Sequence, residues 1–181
     1  MPHTITLRTL SHADARACSE QLADVLIDCV EGGASVSFML PLSRTTALDY
    51  WHDIAGGVER GERTLIVAQD RAGILGTVQL ITAMPDNQQH RADVAKLLVR
   101  RQARGVGIGR RLMEAVEKAA RTQGRSVLVL DTADSTAERL YARSGWQRVG
   151  SVPDFACLPD GPLCATTFFY KQCAPASAHG R

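Results

Sequence analysis

Three glycines stand within five positions of the segment RRQARGVGIGRRL (100–112), at Gly105, Gly107 and Gly109, bordered by Arg100, Arg101, Arg104, Arg110 and Arg111. The segment follows an apolar run and opens a helical pattern, with Ile108, Leu112, Val116 and Ala119 or Ala120 recurring at helical spacing. Backbone so bare at the start of a helix suits an anion. The first amides of a helix have no internal acceptor, and the aligned peptide dipoles place roughly half a positive charge there. A Cβ would hold a phosphate away from those amides, and glycine accepts a positive φ where one is needed. Arg104, Arg110 and Arg111 add charge and forked donors. Two phosphate motifs do not fit. GxxxxGK[ST] lacks its lysine and hydroxyl after Gly109, and GxGxxG meets Arg110 where its last glycine belongs. The plainer alternative is a tight strand-to-helix turn with solvated arginines.

The elements that must position this segment read as follows. Residues 4–10 alternate as a strand, and Ser11 caps a helix over about 13–30 that ends at Gly32 and Gly33. Residues 32–42 form a structured loop, a candidate for lining a pocket. Ser43 caps a second helix towards Arg60. Residues 63–70 and 73–83 read as an antiparallel hairpin, and 91–99 as the next strand. The glycine segment and a helix to about Gln123 follow, then SVLVLD (126–131), apolar enough to be buried on both faces. A short helix over 135–145 and one or two closing strands complete the chain, the last within 157–171. The expected class is α/β, a mixed, mostly antiparallel sheet flanked by helices. One domain over 1–173 is expected, with a disordered tail at 174–181.

Composition bounds the function. The 181 residues, 45% of them apolar, suffice for one sizeable core. A net charge of +2 announces no nucleic-acid or membrane binder, and no apolar run reaches the roughly 20 residues of a membrane span. The start resembles no signal peptide, so a cytoplasmic location is expected. Five cysteines, Cys18, Cys29, Cys157, Cys164 and Cys173, form no CxxC pair, and five scattered histidines form no HExxH. No metal is expected.

What fits the glycine segment is Q-x-x-G-x-G, at Gln102, Gly105 and Gly107. There the chain resembles the GNAT superfamily of acyl-CoA-dependent N-acyltransferases, whose LxVxxxxRGxGIGxxL is matched by Leu97, Val99, Arg104, Gly105, Gly107, Ile108, Gly109 and Leu112. A second segment, DSTAERLYARSGWQRVG (134–150), is similar to the family's NxxAxxLYxxxGF through Ala137, Leu140, Tyr141, Gly145 and Trp146, with Asp134 in place of the usual Asn. EGGASVSFM, RADVAKLLV, LDTADS and LPDGPLCATTFFYK resemble more closely the tabtoxin-resistance type, which acetylates a small amine-bearing β-lactam toxin.

The resemblance implies acetyl-CoA as cosubstrate, with its pyrophosphate on the amides of Arg104, Gly105, Val106, Gly107, Ile108, Gly109 and Arg110. It implies that the pantetheine arm runs beside the strand carrying Leu97 and Val99, whose free backbone groups bond it. The Leu97 N–H would stabilise the oxyanion, and Tyr141 would protonate the departing sulfur. For the base, period-two alternation places Asp93 on the face of Ala95, Leu97 and Val99, towards the cleft. Asp131 ends an apolar strand at its carboxyl edge. The two carboxylates would bind a cationic amine and relay its proton. Ser35 and Phe38 would be acceptor-side wall residues, with simple packing as the alternative.

The leading expectation is therefore direct acetyl transfer in a ternary complex to a primary amine of a small molecule, in the manner of toxin or antibiotic resistance. The alternatives are a protein N-acetyltransferase and a non-catalytic CoA-binding module. No nucleic-acid or membrane partner is expected, and homodimers are common in the resembling family.

Overall fold

The computed structural model describes residues 4–174. All but the first residue of the expected tail lies outside them. Seven strands, β1 (Thr6–Leu10), β2 (Arg63–Asp70), β3 (Gly73–Ile81), β4 (Arg91–Val99), β5 (Val127–Thr132), β6 (Gln147–Cys157) and β7 (Leu163–Gln172), form one sheet in the order β1-β2-β3-β4-β5-β7-β6. Every neighbouring pair is antiparallel except β4 with β5. Five helices flank it: α1 (His12–Ala17), α2 (Ser19–Glu31), α3 (Arg44–Glu59), α4 (Ile108–Thr122) and α5 (Ser135–Arg143).

Local chemistry sets the boundaries. Ser11 Oγ accepts from the Asp14 N–H at 3.1 Å and Ser43 Oγ from the Thr46 N–H at 3.0 Å, each supplying an acceptor to an otherwise unpaired helix amide. The helix expected over 13–30 is broken at Cys18 (φ −95, ψ 3), where α1 stops and α2 begins, and both pieces pack against α3.

The sheet separates two apolar cores. On one face α4 buries Ile108, Leu112, Met113 and Val116 against Ile66, Val78, Ala92, Val94, Leu128 and Leu130. On the other, α1, α2 and α3 cover the β1–β4 half with Leu22, Leu26, Trp51 and Ile54 against Leu65, Val67 and Leu98. This asymmetry corrects one expectation. Strand β5 is not buried on both faces: Leu128 and Leu130 are enclosed, but Val127 and Val129 are half-buried and Asp131 is exposed. Among the described residues, α1, α2 and α3 pack on the β1–β4 half of the sheet and leave that face of β5 without a helix of its own.

β6 is an edge strand with two register shifts against β7 and almost no alternation of burial. Its pattern carries no period-two signal, which explains why only β7 was locatable from residue types.

Candidate active site

Two irregularities in β4 shape the site. Its pairing with β5 covers only Arg91–Val127, Ala92–Leu128 and Asp93–Val129, and beyond Asp93 the strands part. Against β3, Ala95 faces Gln79 and Leu98 faces Thr77, so Lys96 and Leu97 share the single partner Val78 in a β-bulge, with Lys96 at φ +53. The parting opens a slot through the sheet that starts at Asp93.

The bulge corrects the alternation used for Asp93. Ala92 and Val94 pack in the α4 core, and so do Leu97 and Val99, because the extra residue exchanges faces. Leu98 packs on the opposite side. Asp93 and Ala95 therefore lie on the face of Leu98, away from Leu97 and Val99. Asp93 is held by the Arg91 guanidinium, which in turn donates to Gln88 Oε1 at 2.9 Å. Asp131 lies on the same face as Asp93 and accepts from Thr166 Oγ1 at 2.9 Å. Two carboxylates thus border one side of the slot, the first neutralised within its own strand.

The glycine segment rises at the end of β4. Gly105 (φ +83) and Gly107 (φ +85) adopt the left-handed conformation, and a Cβ at either would meet nothing within 4 Å. Gly107 is the N-cap of α4 and offers no side chain to its amides, the first helical bond being Arg111 N–H to the Gly107 carbonyl at 3.1 Å. The Ile108, Gly109 and Arg110 amides at this end precede the first bond of the helix and have no acceptor within it, while the Ile108 side chain is buried in the core. Val106 is exposed at the tip. Gly109 faces α5, where a Cβ would stand 3.3 Å from Leu140 Cδ2.

Most of the bordering arginines are spoken for. Arg100 reaches the Ile74 carbonyl at 2.9 Å and Asp24 at 3.4 Å, and Arg101 binds Asp28 at 2.9 Å and Glu31 at 3.7 Å. Arg111 donates to the Ile5 carbonyl at 2.9 Å and Arg110 pairs with Glu114 one turn on at 2.8 Å. Arg104 folds back, its Nε donating to the Val99 carbonyl at 3.0 Å. The Val99 carbonyl, expected to be free, also accepts from Cys29 Sγ at 3.5 Å. These contacts latch the loop onto α2 and onto Ile5 just before β1, so the arginine side chains are engaged within the protein and the helix-start amides are the donors left without a partner of their own.

On the α4 side of the sheet, Tyr141 of α5 is buried against Trp146 and Phe169, with ring centroids 6.1 and 5.7 Å away. Burial, reinforced by Asp134 and Asp131, pushes its phenol well above the ordinary value. Among the described residues its hydroxyl has no protein hydrogen-bond partner. Asp134 is the N-cap of α5, its Oδ1 accepting from the Thr136 N–H at 2.7 Å, so this carboxylate is already occupied by a helix amide.

The loop 32–42 is tied to the β6–β7 hairpin. Ser35 Oγ donates to the Cys157 carbonyl at 3.2 Å, and the Leu40 N–H to the Pro159 carbonyl at 2.9 Å. Phe38 stands edge-on to Tyr50 at 5.1 Å and packs against the α2–α3 core. Beneath it Gln79, fully buried, donates to Tyr50 Oη at 3.1 Å and accepts from Arg63 at 2.9 Å.

Residue types missed one group. Lys96 Nζ, at the bulge, donates to Ser37 Oγ at 2.9 Å, and withdrawal from water lowers its pKa while Asp131 opposes the change. Strict alternation puts Lys96 with Ala92 and Val94 on the covered face. The available signal was that very conflict, a lysine in a phase otherwise reserved for buried apolar residues.

Residues 46–159 match the acetyltransferase (GNAT) domain family. The chain is 32% identical over 139 residues to an uncharacterised N-acetyltransferase from the hisH-hisA intergenic region of Azospirillum brasilense, covering 72% of this chain and 81% of that protein. Among solved structures, a GNAT superfamily phosphinothricin acetyltransferase from Sinorhizobium meliloti in complex with acetyl-CoA superposes with a TM-score of 0.74 at 19% identity, over 98% of this chain and 92% of its own. A ribosomal-protein-alanine N-acetyltransferase from Brucella melitensis does so with a TM-score of 0.73 at 22% identity, over 92% and 99%. At such identities the structural likeness speaks to the fold.

Proposed function

The chain belongs to the GNAT acetyltransferase domain family, and from that premise we propose that it moves an acetyl group from acetyl-CoA directly to the primary amine of a small molecule. The observation that supports this reading is the parting of β4 from β5 beyond Asp93, with the glycine-rich start of α4 at the end of β4 and Asp93 and Asp131 on the opposite face of the sheet. A nucleophile and a thioester can meet in it from opposite faces of the sheet, with no acyl-enzyme required.

Each residue then has a stated task. The cradle of Arg104 to Arg110 holds the pyrophosphate through backbone amides, because Gly105 and Gly107 leave room for close approach. The backbone beside the bulge flanks the pantetheine arm. The Leu97 N–H donates to the thioester oxygen as negative charge gathers on it, and a donor fixed in the strand does so without reorganising. Asp131 receives the ammonium and passes its proton to water, since an ammonium has no lone pair with which to attack. Asp93, held by Arg91, contributes field rather than direct contact. Tyr141, kept protonated by burial, donates its O–H in a hydrogen bond to the departing sulfur, which leaves as a thiolate and takes its proton from Tyr141 or from water. Ser35 and Phe38 wall the acceptor side.

Solved neighbours include enzymes named for a small molecule and for a ribosomal protein, so the acceptor class must come from this chain's own site. The loop 32–42, pinned to the β6–β7 hairpin, narrows the acceptor mouth and favours a small amine. A tabtoxin-like amino-β-lactam or an amino-acid-like compound fits that mouth, in one cytoplasmic domain over 1–173. Among the described residues no three His, Cys, Asp or Glu side chains gather as metal ligands, and no helix is long and apolar enough to cross a membrane.

The test is release of CoA thiol from acetyl-CoA across amino acids, amino-β-lactams, polyamines and short peptides. Amine-dependent release is expected, with Asp131→Asn raising KM for the amine. Saturable acetyl-CoA binding without release for any amine would replace this reading with a CoA-binding module, and release with peptides alone would replace it with a protein acetyltransferase.

A further inference from the structure

The acceptor side of the slot holds one cation to which acetyl transfer gives no task. We propose that Lys96 receives an acidic group of the acceptor, so that the acceptor carries an anion beside its reactive amine; this rests on the transfer reading above. Placement comes first. The bulge sets Lys96 between Ala95 and Leu97, in the stretch of β4 that borders the slot. Its Nζ lies 2.9 Å from Ser37 Oγ, its one protein hydrogen-bond partner among the described residues. An ammonium has three donors, so two are left over.

Other charges nearby are paired. On the same strand, Arg91 holds Asp93. Among the described residues no carboxylate stands within 4 Å of Lys96, although Asp131 is near enough to favour its charge and is itself engaged by Thr166. A half-buried ammonium without an anion in contact keeps donors to offer, and a bound acid would accept them. The two residues in contact, Lys96 (φ +53) and Ser37 (φ +79), both hold left-handed backbone, which is uncommon outside glycine and concentrates at ligand clamps.

Lys96 on β4 and Asp131 on β5 thus present a positive and a negative group across one opening. A small zwitterion satisfies both, with its ammonium at Asp131 and its acid at Lys96. A lysine side chain of a protein brings the amine alone.

The experiment compares amino acids with their own carboxamides by CoA thiol release at saturating acetyl-CoA, in wild type, Lys96→Met and Lys96→Arg. Wild type is expected to favour the acid over the amide by roughly 10- to 100-fold in kcat/KM, the range of a hydrogen bond to a charged group. Lys96→Met should bring that ratio to about one, and Lys96→Arg should restore it in part. Saturable acetyl-CoA binding in Lys96→Met certifies the fold. Equal rates on acid and amide in wild type, or a ratio that survives in Lys96→Met, would overturn the inference while leaving acetyl transfer standing. Failure of every amine to release thiol would overturn both.

Discussion

Tyr141 is a phenol whose proton is hard to remove, because burial and the nearby Asp134 and Asp131 all disfavour the phenolate. The shift keeps the phenol protonated at neutral pH and makes it a weak proton donor, so its help to a departing sulfur is a hydrogen bond rather than an easy proton transfer. A CoA-type thiol, titrating near roughly 8.5, leaves tolerably without help, so Tyr141→Phe should slow thiol release by about 10- to 100-fold rather than abolish it. The KM for acetyl-CoA should stay put, as steady-state kinetics will show. Lys96 makes a different prediction. Its pKa lies below the ordinary 10.5 in the folded chain, so the unfolded chain binds the proton more tightly and stability rises with pH through that window. Lys96→Met should therefore raise the melting temperature near neutral pH, with the gain vanishing as pH passes 10.5. Equal shifts at both pH values in thermal melts would sink this assignment. Motif residues such as Gly107 and Tyr141 were legible because their types and spacing repeat; Lys96 was not, since period-two reasoning cannot foresee an inserted residue.

Among the elements, β3 backs the stretch of β4 that parts from β5, and α4 rises at the end of that stretch; one glycine in β3 and one at the N-cap of α4 hold these approaches. At Gly76 a Cβ would stand 2.7 Å from the Leu98 carbonyl, so Gly76→Ala should force β3 from β4 and cost about 1–3 kcal/mol of stability in denaturant titration. At Gly107 a Cβ meets open space but the φ of +85 is unsuited to it. Gly107→Ala should cost about 1–2 kcal/mol, and the methyl group in the cradle should raise the KM for acetyl-CoA. Helix caps at Ser11 and Ser43, the hairpin of β2 and β3 and the opening of α4 were all readable, because capping chemistry and apolar periodicity are local. The break at Cys18 was not, because it answers to α3, which lies far along the chain. The same distance hid the occupancy of the Val99 carbonyl, which depends on Arg104 folding back and on Cys29 from α2.

On the α4 side of the sheet, a largely buried ionic knot ties α4 to β7. Glu117 of α4 accepts from Trp146 Nε1 at 2.9 Å and from Lys171 of β7 at 2.7 Å, and Lys171 also donates to the Ser144 carbonyl at 2.6 Å. Glu117→Ala should cost about 3–5 kcal/mol, since it strands a partly buried ammonium and a buried indole N–H. Activity should fall with it, because Trp146 supports Tyr141; a denaturant titration with parallel thiol-release assays will read both. The slot itself passes through the sheet, and its two mouths are written in different parts of the chain. Residues 97–112 furnish the cradle, whereas 31–40, 93–96, 131 and 157–166 furnish the opposite mouth. Under the proposed reading, substitutions in the second set would change the amine that is met while leaving the grip on the acyl donor untouched.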